Sequence, residues 1–393
     1  MKSDPVVILS ARRTPVGAFQ GAFATLSAPQ LGAAAIRAAV ADCGVKAADV
    51  DEVIMGCVLS AGIGQAPARQ AALGAGLPTS TPSTTVNKMC GSAMRAVMLG
   101  ADQILAGSAQ VVVAGGIESM TNAPYLLPKA RAGYRMGHQE VLDHMFFDGL
   151  QSPWDGKLMG CFAEATSERY AFTRQAQDGF AAESVRRALA AVNEGAFKAE
   201  IAPVTAKTRK GEVVVDRDET PFTLDVAKIP TLKPAFKKDG TVTAASSSSI
   251  SDGAAAVVLA RASFAASRNL QPLARILGYS SFAREPEWFT LAPVGAIQKL
   301  LAQLNWSADD VDLFEINEAF AAVPMAAMKD LSLQHARVNV NGGACALGHP
   351  IGATGARILT TLLHALQARG KKRGIASLCI GGGEATAIAV ELM

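Results

Sequence analysis

The feature that most restricts the fold of this 393-residue chain is a repeat that relates its two ends. The octet 49–56, Asp-Val-Asp-Glu-Val-Ile-Met-Gly, returns at 310–317 as Asp-Val-Asp-Leu-Phe-Glu-Ile-Asn, an offset of 261 residues. The tetrad 115–118, Gly-Gly-Ile-Glu, returns at 381–384 as Gly-Gly-Gly-Glu, an offset of 266 residues. Short matches arise by chance, but a matched order of predicted elements around both motifs favours duplication of one α/β unit.

Both copies are predicted to contain the same elements in the same order. A periodic apolar helix precedes the octet, and a glycine-bounded helix precedes a strand that ends in the tetrad. The first copy also begins with a strand, followed by Arg12, Arg13 and Pro15 in a loop. The predicted ranges are strand 5–10, helix 31–42, a turn and strand within 49–56, helix 91–106 and strand 110–114, then helix 293–304, strand 310–317, helix 352–369 and strand 376–380.

A segment of a different character separates the copies. It contains irregular stretches, two helices (161–171 and 173–193), a basic polar stretch and the serine run 246–249. An insertion of this size in a duplicated core is where a substrate-binding domain is housed. Its cations fit a solvated surface and an anionic ligand equally well; they are Lys207, Arg209, Lys210, Lys228, Lys233, Lys237 and Lys238. Strand 252–260 is predicted to rejoin the sheet of the first half. The predicted domains are 1–118 plus 251–270, the inserted loop domain 119–250, and 271–393.

Composition excludes several classes of protein. Half of the residues are hydrophobic and the net charge is +3, too small to indicate nucleic acid or a membrane surface as partner. The six cysteines form no CxxC pair and no metal-like spacing, so we expect reduced thiols and no bound metal. No signal-peptide pattern and no apolar run of about 18 residues is present. A cytoplasmic protein is expected.

The turn 87–92, Asn-Lys-Met-Cys-Gly-Ser, is the first candidate for chemistry. A β-branched run enters it and an apolar helical stripe leaves it, so Cys90 is predicted at a strand-to-helix turn. Unpaired N–H groups and the dipole at a helix N-terminus favour the thiolate over the thiol. The alternative is that Cys90 is a small buried hydrophobic residue.

Three stretches of the second half place reactive groups beside glycines: 317–321 with Asn317, 341–352 with His349, and 379–383 with Cys379. Each residue alone has a structural explanation, as a turn former, a buried histidine or an inert thiol. Strand ends on one side of a sheet converge, so duplication brings these residues near Cys90. A thiolate nucleophile needs a base and donors for an oxyanion, and a second thiol is useful for moving a proton at carbon.

Over essentially its whole length, the sequence resembles the thiolases, and among them the short-chain acetyl-CoA C-acetyltransferases. The matching motifs are 87–92, 317–321, 341–355 and 379–383, with further matches at 159–164 and 252–255. The resemblance implies a duplicated thiolase fold, two α/β halves packed as a layered α-β-α-β-α core, with an inserted loop domain that binds coenzyme A. It also implies fatty acid metabolism and dimers that pair into tetramers.

The resemblance assigns roles to the catalytic candidates. Cys90 is implied as the nucleophile that carries the acyl group, and His349 as its base and one donor of an oxyanion hole. Asn317 would hold the water that completes this hole. Cys379 is implied as the acid/base at the methyl group of the second acetyl-CoA. The backbone N–H groups of Cys90 and Gly381 would bind the thioester oxygen.

The resemblance also implies substrate contacts. Ser248 matches a serine that contacts pantetheine, and Met159, Phe236, Ala319 and Phe320 match positions at the substrate channel. Acetyl-CoA, acetoacetyl-CoA and coenzyme A are the expected ligands, with no permanently bound cofactor.

The chain departs from the family pattern at three places that bear on coenzyme A and the acyl group. Leu158 stands where short-chain members often have His, and Phe222 where many have Arg. The serine run 246–249 replaces the more usual Asn-Ala-Ser-Gly. None of these changes removes a reactive group.

Three other functions remain as alternatives. A degradative 3-ketoacyl-CoA thiolase of broader chain length would use the same residues. A β-ketoacyl synthase would lack the second cysteine of the Cys-x-Gly turn, so Cys379 argues against it. A non-catalytic carrier or scaffold would not need all four reactive side chains.

Overall fold

The computed structural model describes residues 4–208 and 211–393, so Arg209 and Lys210 of the predicted basic stretch lie outside the described residues. The helices are α1 Ala28–Cys43, α2 Pro67–Gly74, α3 Ser92–Ala106, α4 Met159–Tyr170, α5 Arg174–Asn193, α6 Ala262–Ser267, α7 Ala292–Leu304, α8 Ala322–Asp330, α9 Ala344–Leu347 and α10 Thr354–Ala368. The strands are β1 Val6–Arg13, β2 Gly17–Ala18, β3 Glu52–Gly56, β4 Ser83–Val86, β5 Val111–Ser119, β6 Tyr125–Leu126, β7 Leu142–Asp143, β8 Val204–Thr208, β9 Gly211–Val215, β10 Ser251–Arg261, β11 Ala274–Ala283, β12 Leu313–Ile316, β13 Arg373–Ile380 and β14 Glu384–Leu392.

One sheet contains the main strands of both halves, in the order β12-β13-β14-β11-β1-β10-β5-β3-β4. At its centre β1 and β11 pair antiparallel, with Val7 opposite Arg275 and Ile8 opposite Ala274. On either side of this pair the strands correspond, β14 to β10, β13 to β5 and β12 to β3. The predicted duplication is therefore confirmed, and β10 lies between β1 and β5, in the first half's part of the sheet.

Helices cover and separate the two parts of the sheet. The apolar faces of α1 and α2 pack on the outer side of the first half, and α7 and α8 do the same in the second. Helices α3 and α10 pack on each other in a core shared by strands of both halves. Gly355 permits their close approach, because a Cβ there would lie 2.5 Å from the backbone nitrogen of Met94. The expected α-β-α-β-α layering is confirmed.

The segment between the halves packs on both of them. Helix α5 begins at the predicted N-cap, where the Thr173 side chain accepts from the Ala176 N–H at 3.1 Å. Buried Arg13 of β1 reaches the segment, with Nε 2.5 Å from Glu200 Oε1 and Nη1 2.7 Å from Asp218 Oδ1. These contacts join the segment to the centre of the sheet.

Two predicted strand ends are wrong. Arg12 and Arg13 belong to β1 rather than to a loop, because both pair with β10 and the charge of Arg13 is neutralised inside the protein. Strand β5 continues through Gly115 and Gly116 to Ser119, because β10 pairs with it along its whole length. A Cβ at either glycine would collide with neighbouring backbone, so close packing rather than a turn accounts for both.

Among the described residues, no helix is long and apolar enough to span a membrane.

Candidate active site

The Cys90 turn lies between β4 and α3 and touches the end of β13. Met89 has a positive φ of 47°, a strained backbone conformation for a residue with a side chain. Gly91 follows Cys90, and a Cβ there would collide with the Ile380 side chain. The glycine therefore allows the first half's turn to approach the end of β13, where Cys379 immediately precedes Ile380.

The two candidate thiols interact electrostatically. Burial raises the pKa of Cys90 to about 11, opposed by the backbone N–H groups of Gly381 and of Cys90 itself, which favour the thiolate. Burial, followed by the charge of Cys90, raises the pKa of Cys379 well above its usual range. Both side chains are therefore thiols near neutral pH. The N–H groups at the helix start favour the Cys90 thiolate, as the sequence indicates, but burial opposes them more strongly.

His349 is buried in the loop before α10 and is held in one tautomer. Its Nδ1 lies 2.6 Å from the Thr354 hydroxyl oxygen, and that hydroxyl donates to the Pro350 carbonyl at 2.9 Å. Because the hydroxyl proton is already used, Thr354 accepts from Nδ1–H and Nε2 carries the free lone pair. Burial, then the nearby Arg357 cation, lowers the pKa of His349 to about 3, so the imidazole is neutral.

Asn317 follows β12 and faces His349. Its Nδ2 lies 3.5 Å from His349 Nε2, and its backbone N–H donates to the Ser377 carbonyl at 3.0 Å. Among the described residues the buried Oδ1 of Asn317 has no hydrogen-bond partner, so it is available to a donor. Within the described part of the chain no hydrogen bond joins Cys90 to His349. Catalytic hydrogen bonds are often long before substrate binds.

The five candidate substrate residues border the same turns. Ser248 donates to the Ala319 carbonyl from its backbone N–H at 3.0 Å and from its hydroxyl at 3.1 Å. The rings of Phe236 and Phe320 meet edge to face, 5.9 Å apart. The Met159 sulfur would lie 3.7 Å from a Cβ at Gly381. Met159, Phe236, Phe320 and Cys379 belong to one apolar cluster, so a wall of bulky side chains stands beside the second thiol.

Two of the three departures from the family pattern, Leu158 and Phe222, lie in different surroundings. Leu158 caps the start of α4, directly before Met159. Phe222 is 45% exposed, and the Arg217 guanidinium lies 4.7 Å from its ring centre. Phe222 and Arg217 line a cavity of about 1000 Å³, whose wall also includes Lys198. Many family members have an arginine at the position of Phe222. Here Arg217 supplies a cation next to that position, on the face of the Phe222 ring.

Sequence reasoning missed two residues at this site. Thr354 fixes the tautomer of His349. Its position at the start of a helix, shortly after a His-Pro pair, could have indicated from sequence that it contacts His349. Trp154 is 65% exposed, and its ring would lie 3.6 Å from a Cβ at Gly382, beside the Cys379 turn. An isolated tryptophan in an irregular stretch gave no such signal. Among the described residues, no group of three or more His, Cys, Asp or Glu side chains could hold a metal ion.

The two α/β halves bring a thiol and a neutral imidazole to adjoining turns, and these are the groups that acyl transfer through a cysteine would need. Models of the thiolase N-terminal and C-terminal domains match residues 6–263 and 270–392. The chain belongs to the thiolase family. It is 50% identical to an acetyl-CoA acetyltransferase of Pseudomonas aeruginosa, with 98% of each chain covered.

Two solved structures match nearly the whole chain. An acetyl-CoA acetyltransferase of Bacillus anthracis superposes with a TM-score of 0.97 at 43% identity, covering 99% of both chains. A thiolase of Ascaris suum in complex with coenzyme A superposes with a TM-score of 0.94 at 43% identity, covering 99% of this chain and 100% of the other.

Proposed function

We propose that the protein catalyses the reversible Claisen condensation of two acetyl-CoA to acetoacetyl-CoA and coenzyme A, through an acetyl group carried on Cys90. The observation that carries this proposal is the pair of opposed thiols, because one thiol cannot be acylated and also act as a base. The names of the relatives support acetyl-CoA as substrate, and the coenzyme A complex of the Ascaris suum thiolase supports coenzyme A as ligand.

The first half-reaction transfers acetyl to Cys90. The neutral His349 takes the thiol proton at Nε2 as the sulfur attacks the thioester carbonyl, and the N–H groups of Cys90 and Gly381 stabilise the oxyanion. The carbon–sulfur bond to coenzyme A then breaks. The departing thiolate takes the proton of Cys379, which leaves Cys379 as a thiolate.

The second half-reaction forms the carbon–carbon bond. The Cys379 thiolate removes a methyl proton from the second acetyl-CoA, and the resulting carbanion attacks the acetyl group on Cys90. The protonated His349, together with a water on Asn317, would hold the enolate oxygen. The Cys90 sulfur then leaves and regains its proton from His349, so every catalytic group returns to its starting state.

We infer that the inserted segment 119–250 holds coenzyme A. Ser248 supports this role, since it is hydrogen-bonded to Ala319 directly after the Asn317 turn. Met159, Phe236 and Phe320 would bound the acyl pocket. The domain boundaries 1–118 plus 251–270, 119–250 and 271–393 stay predictions, as does a cytoplasmic location.

A homotetramer is proposed as the assembly. Exposed large apolar side chains concentrate in residues 125–154, which supports contact with other copies. These side chains are Tyr125, Leu127, Tyr134, Met136, Val141, Phe146, Phe147 and Trp154.

A degradative thiolase of broader chain length is the second candidate, favoured by apolar Leu158 beside Met159. If the bulky wall closes the pocket, thiolytic kcat/KM falls steeply from acetoacetyl-CoA to 3-ketohexanoyl-CoA, because overpacking costs about 1–3 kcal/mol. In an open channel each added CH₂ contributes about 0.8 kcal/mol. A flat or rising profile through eight carbons would favour the degradative function.

The division of labour between the thiols is tested by separating the half-reactions. Mass spectrometry after brief exposure to acetyl-CoA should find the acetyl group on Cys90 in wild type and in Cys379→Ala. Cys90→Ala should lose both acetylation and condensation. Cys379→Ala should lose condensation by roughly 10²–10⁴-fold. Acetyl found only on Cys379 or Cys161, or a folded Cys379→Ala that is not acetylated, would refute the proposal.

A further inference from the structure

Glu118 is a buried carboxylate next to the site that the mechanism above does not use. It stands one residue before the end of β5 and is inaccessible to solvent. Within residues 4–208 and 211–393 it forms no ion pair. An unpaired buried carboxylate is costly, and it is retained only where hydrogen bonds satisfy it.

The hydrogen bonds of Glu118 join loops of both halves. Its Oε2 accepts from the backbone N–H groups of Val58 at 3.1 Å and of Gly352 at 2.9 Å, and its Oε1 accepts from Leu59 at 3.1 Å. Val58 and Leu59 lie just after β3 of the first half. Gly352 follows His349 by three residues in the second half. One side chain therefore holds the His349 loop against the loop after β3.

A carboxylate is the side chain that fits this set of donors. It offers two oxygens that only accept, whereas an amide of the same shape places an NH₂ group against backbone N–H groups. The Cys57 thiol, 3.9 Å from Oε1, adds a further weak donor.

The same carboxylate acts on the nucleophile. Its negative charge contributes to the raised pKa of Cys90. Burial raises the pKa of Glu118 itself to about 7, opposed by the three N–H groups and assisted by the charge of Asp252. The titratable groups that face Glu118 are thus Cys57 after β3, Cys90 before α3 and Asp252 of β10.

We propose that Glu118 is a positioning residue of the active site: it fixes the His349 loop against the loop after β3, and it places a buried negative charge near the Cys90 thiol. The expected effect of Glu118 on turnover rests on the proposed function. The expected effect of Glu118 on Cys90 alkylation does not depend on that function.

The test compares Glu118→Gln and Glu118→Asp with wild type. The first measurement is the pH dependence of Cys90 alkylation by iodoacetamide, read by mass spectrometry. Glu118→Gln removes a negative charge that favours the thiol, so it should shift the alkylation profile to lower pH and speed alkylation at pH 8. Glu118→Asp keeps the charge and should keep the wild-type profile. In acetoacetyl-CoA thiolysis, the second measurement, kcat should fall about 10–100-fold in both variants, because the His349 loop is displaced.

Glu164→Gln is the matched control. Glu164 is a buried carboxylate that accepts from the backbone N–H groups of Thr241 and Val242, both at 2.9 Å, and it is not among the groups that shift the pKa of Cys90 or Cys379. The Glu164→Gln variant should be less stable than wild type but should keep the wild-type pH dependence of Cys90 alkylation.

A Glu118→Gln protein that is folded by circular dichroism and keeps the wild-type alkylation profile would overturn the electrostatic part of the proposal. If Glu118→Gln does not fold, Glu118→Asp decides, and wild-type kcat in Glu118→Asp would overturn the positioning role. A wild-type protein without thiolysis would instead refute the proposed function, while the alkylation contrast would still test Glu118.

Discussion

At the scale of single residues, Thr354 determines what His349 can do. Its hydroxyl proton goes to the Pro350 carbonyl, so the oxygen is left to accept from His349 Nδ1. A neutral imidazole with its lone pair on Nε2 is the form that accepts a proton from a thiol. Without an acceptor at Nδ1, the two tautomers would compete, and part of the enzyme would present a donor to Cys90.

We expect Thr354→Val, which keeps the shape and removes the acceptor, to slow acetylation of Cys90 at least tenfold, within the roughly 10²–10⁴ range of general acid–base effects. Thr354→Ser keeps the hydroxyl and should stay close to wild type. The measurement is the single-turnover rate with acetyl-CoA. Equal rates in the valine and serine variants would show that Thr354 does not select the tautomer.

The residue types of the site were predictable from sequence, whereas their proton states were not. Cys90, Asn317, His349 and Cys379 stand beside glycines at predicted strand ends, which was enough to group them. The pKa of Cys90 depends on how much of the second half covers its thiol, and no local pattern carries that information. Glu118 was visible in the repeated tetrad, but its partners come from residues far away in the chain.

At the scale of elements, α3 is flanked by two glycines, Gly91 and Gly107, which have different structural roles. Gly91 lies against Ile380, so a side chain there would push the Cys90 turn away from Cys379. Gly107 caps the helix with a φ of 82°, and a Cβ built there would have no neighbour within 4 Å. The first glycine serves the site and the second serves the helix.

Gly91→Ala and Gly107→Ala should therefore fail in different ways. Gly91→Ala should lower thiolytic kcat/KM about 10²-fold, the cost of a displacement near 1 Å. Gly107→Ala should keep kcat/KM and lower the free energy of unfolding by about 1 kcal/mol, because alanine is strained at positive φ. Urea unfolding and steady-state kinetics on both variants measure the contrast, and loss of activity in Gly107→Ala would contradict it.

The elements themselves were largely predictable, because each main helix has an apolar stripe and a stop signal. The errors fell where tertiary contacts override local signals. From local sequence Arg13 resembles a loop residue. It lies inside the protein because Glu200 and Asp218, which follow it by 187 and 205 positions, neutralise its charge. The pair Gly115 and Gly116 predicted a turn, but both are strand residues whose lack of a side chain lets neighbouring backbone pack closely.

At the scale of the whole molecule, Arg13 connects the centre of the sheet to the segment between the halves. Arg13→Met leaves Glu200 and Asp218 buried without their cation, which should lower the free energy of unfolding by about 3–5 kcal/mol. The neighbouring Arg12 pairs with partly exposed Asp42, so Arg12→Met should cost about 1 kcal/mol or less. Urea denaturation of the two variants checks the difference, and equal losses would contradict the role of the buried cluster.

The repeat has a consequence for how unlike chemical groups come to face each other. At the offset of 261 residues that relates Gly91 to Gly352, the counterpart of Cys90 is Ile351 and the counterpart of Lys88 is His349. In a dimer of identical units, both counterpart turns would have to carry the same side chains. In one continuous chain the two turns are free to differ, so one presents a nucleophile and the other its base. Covalent fusion is thus what allows an approximately twofold framework to hold an asymmetric catalyst.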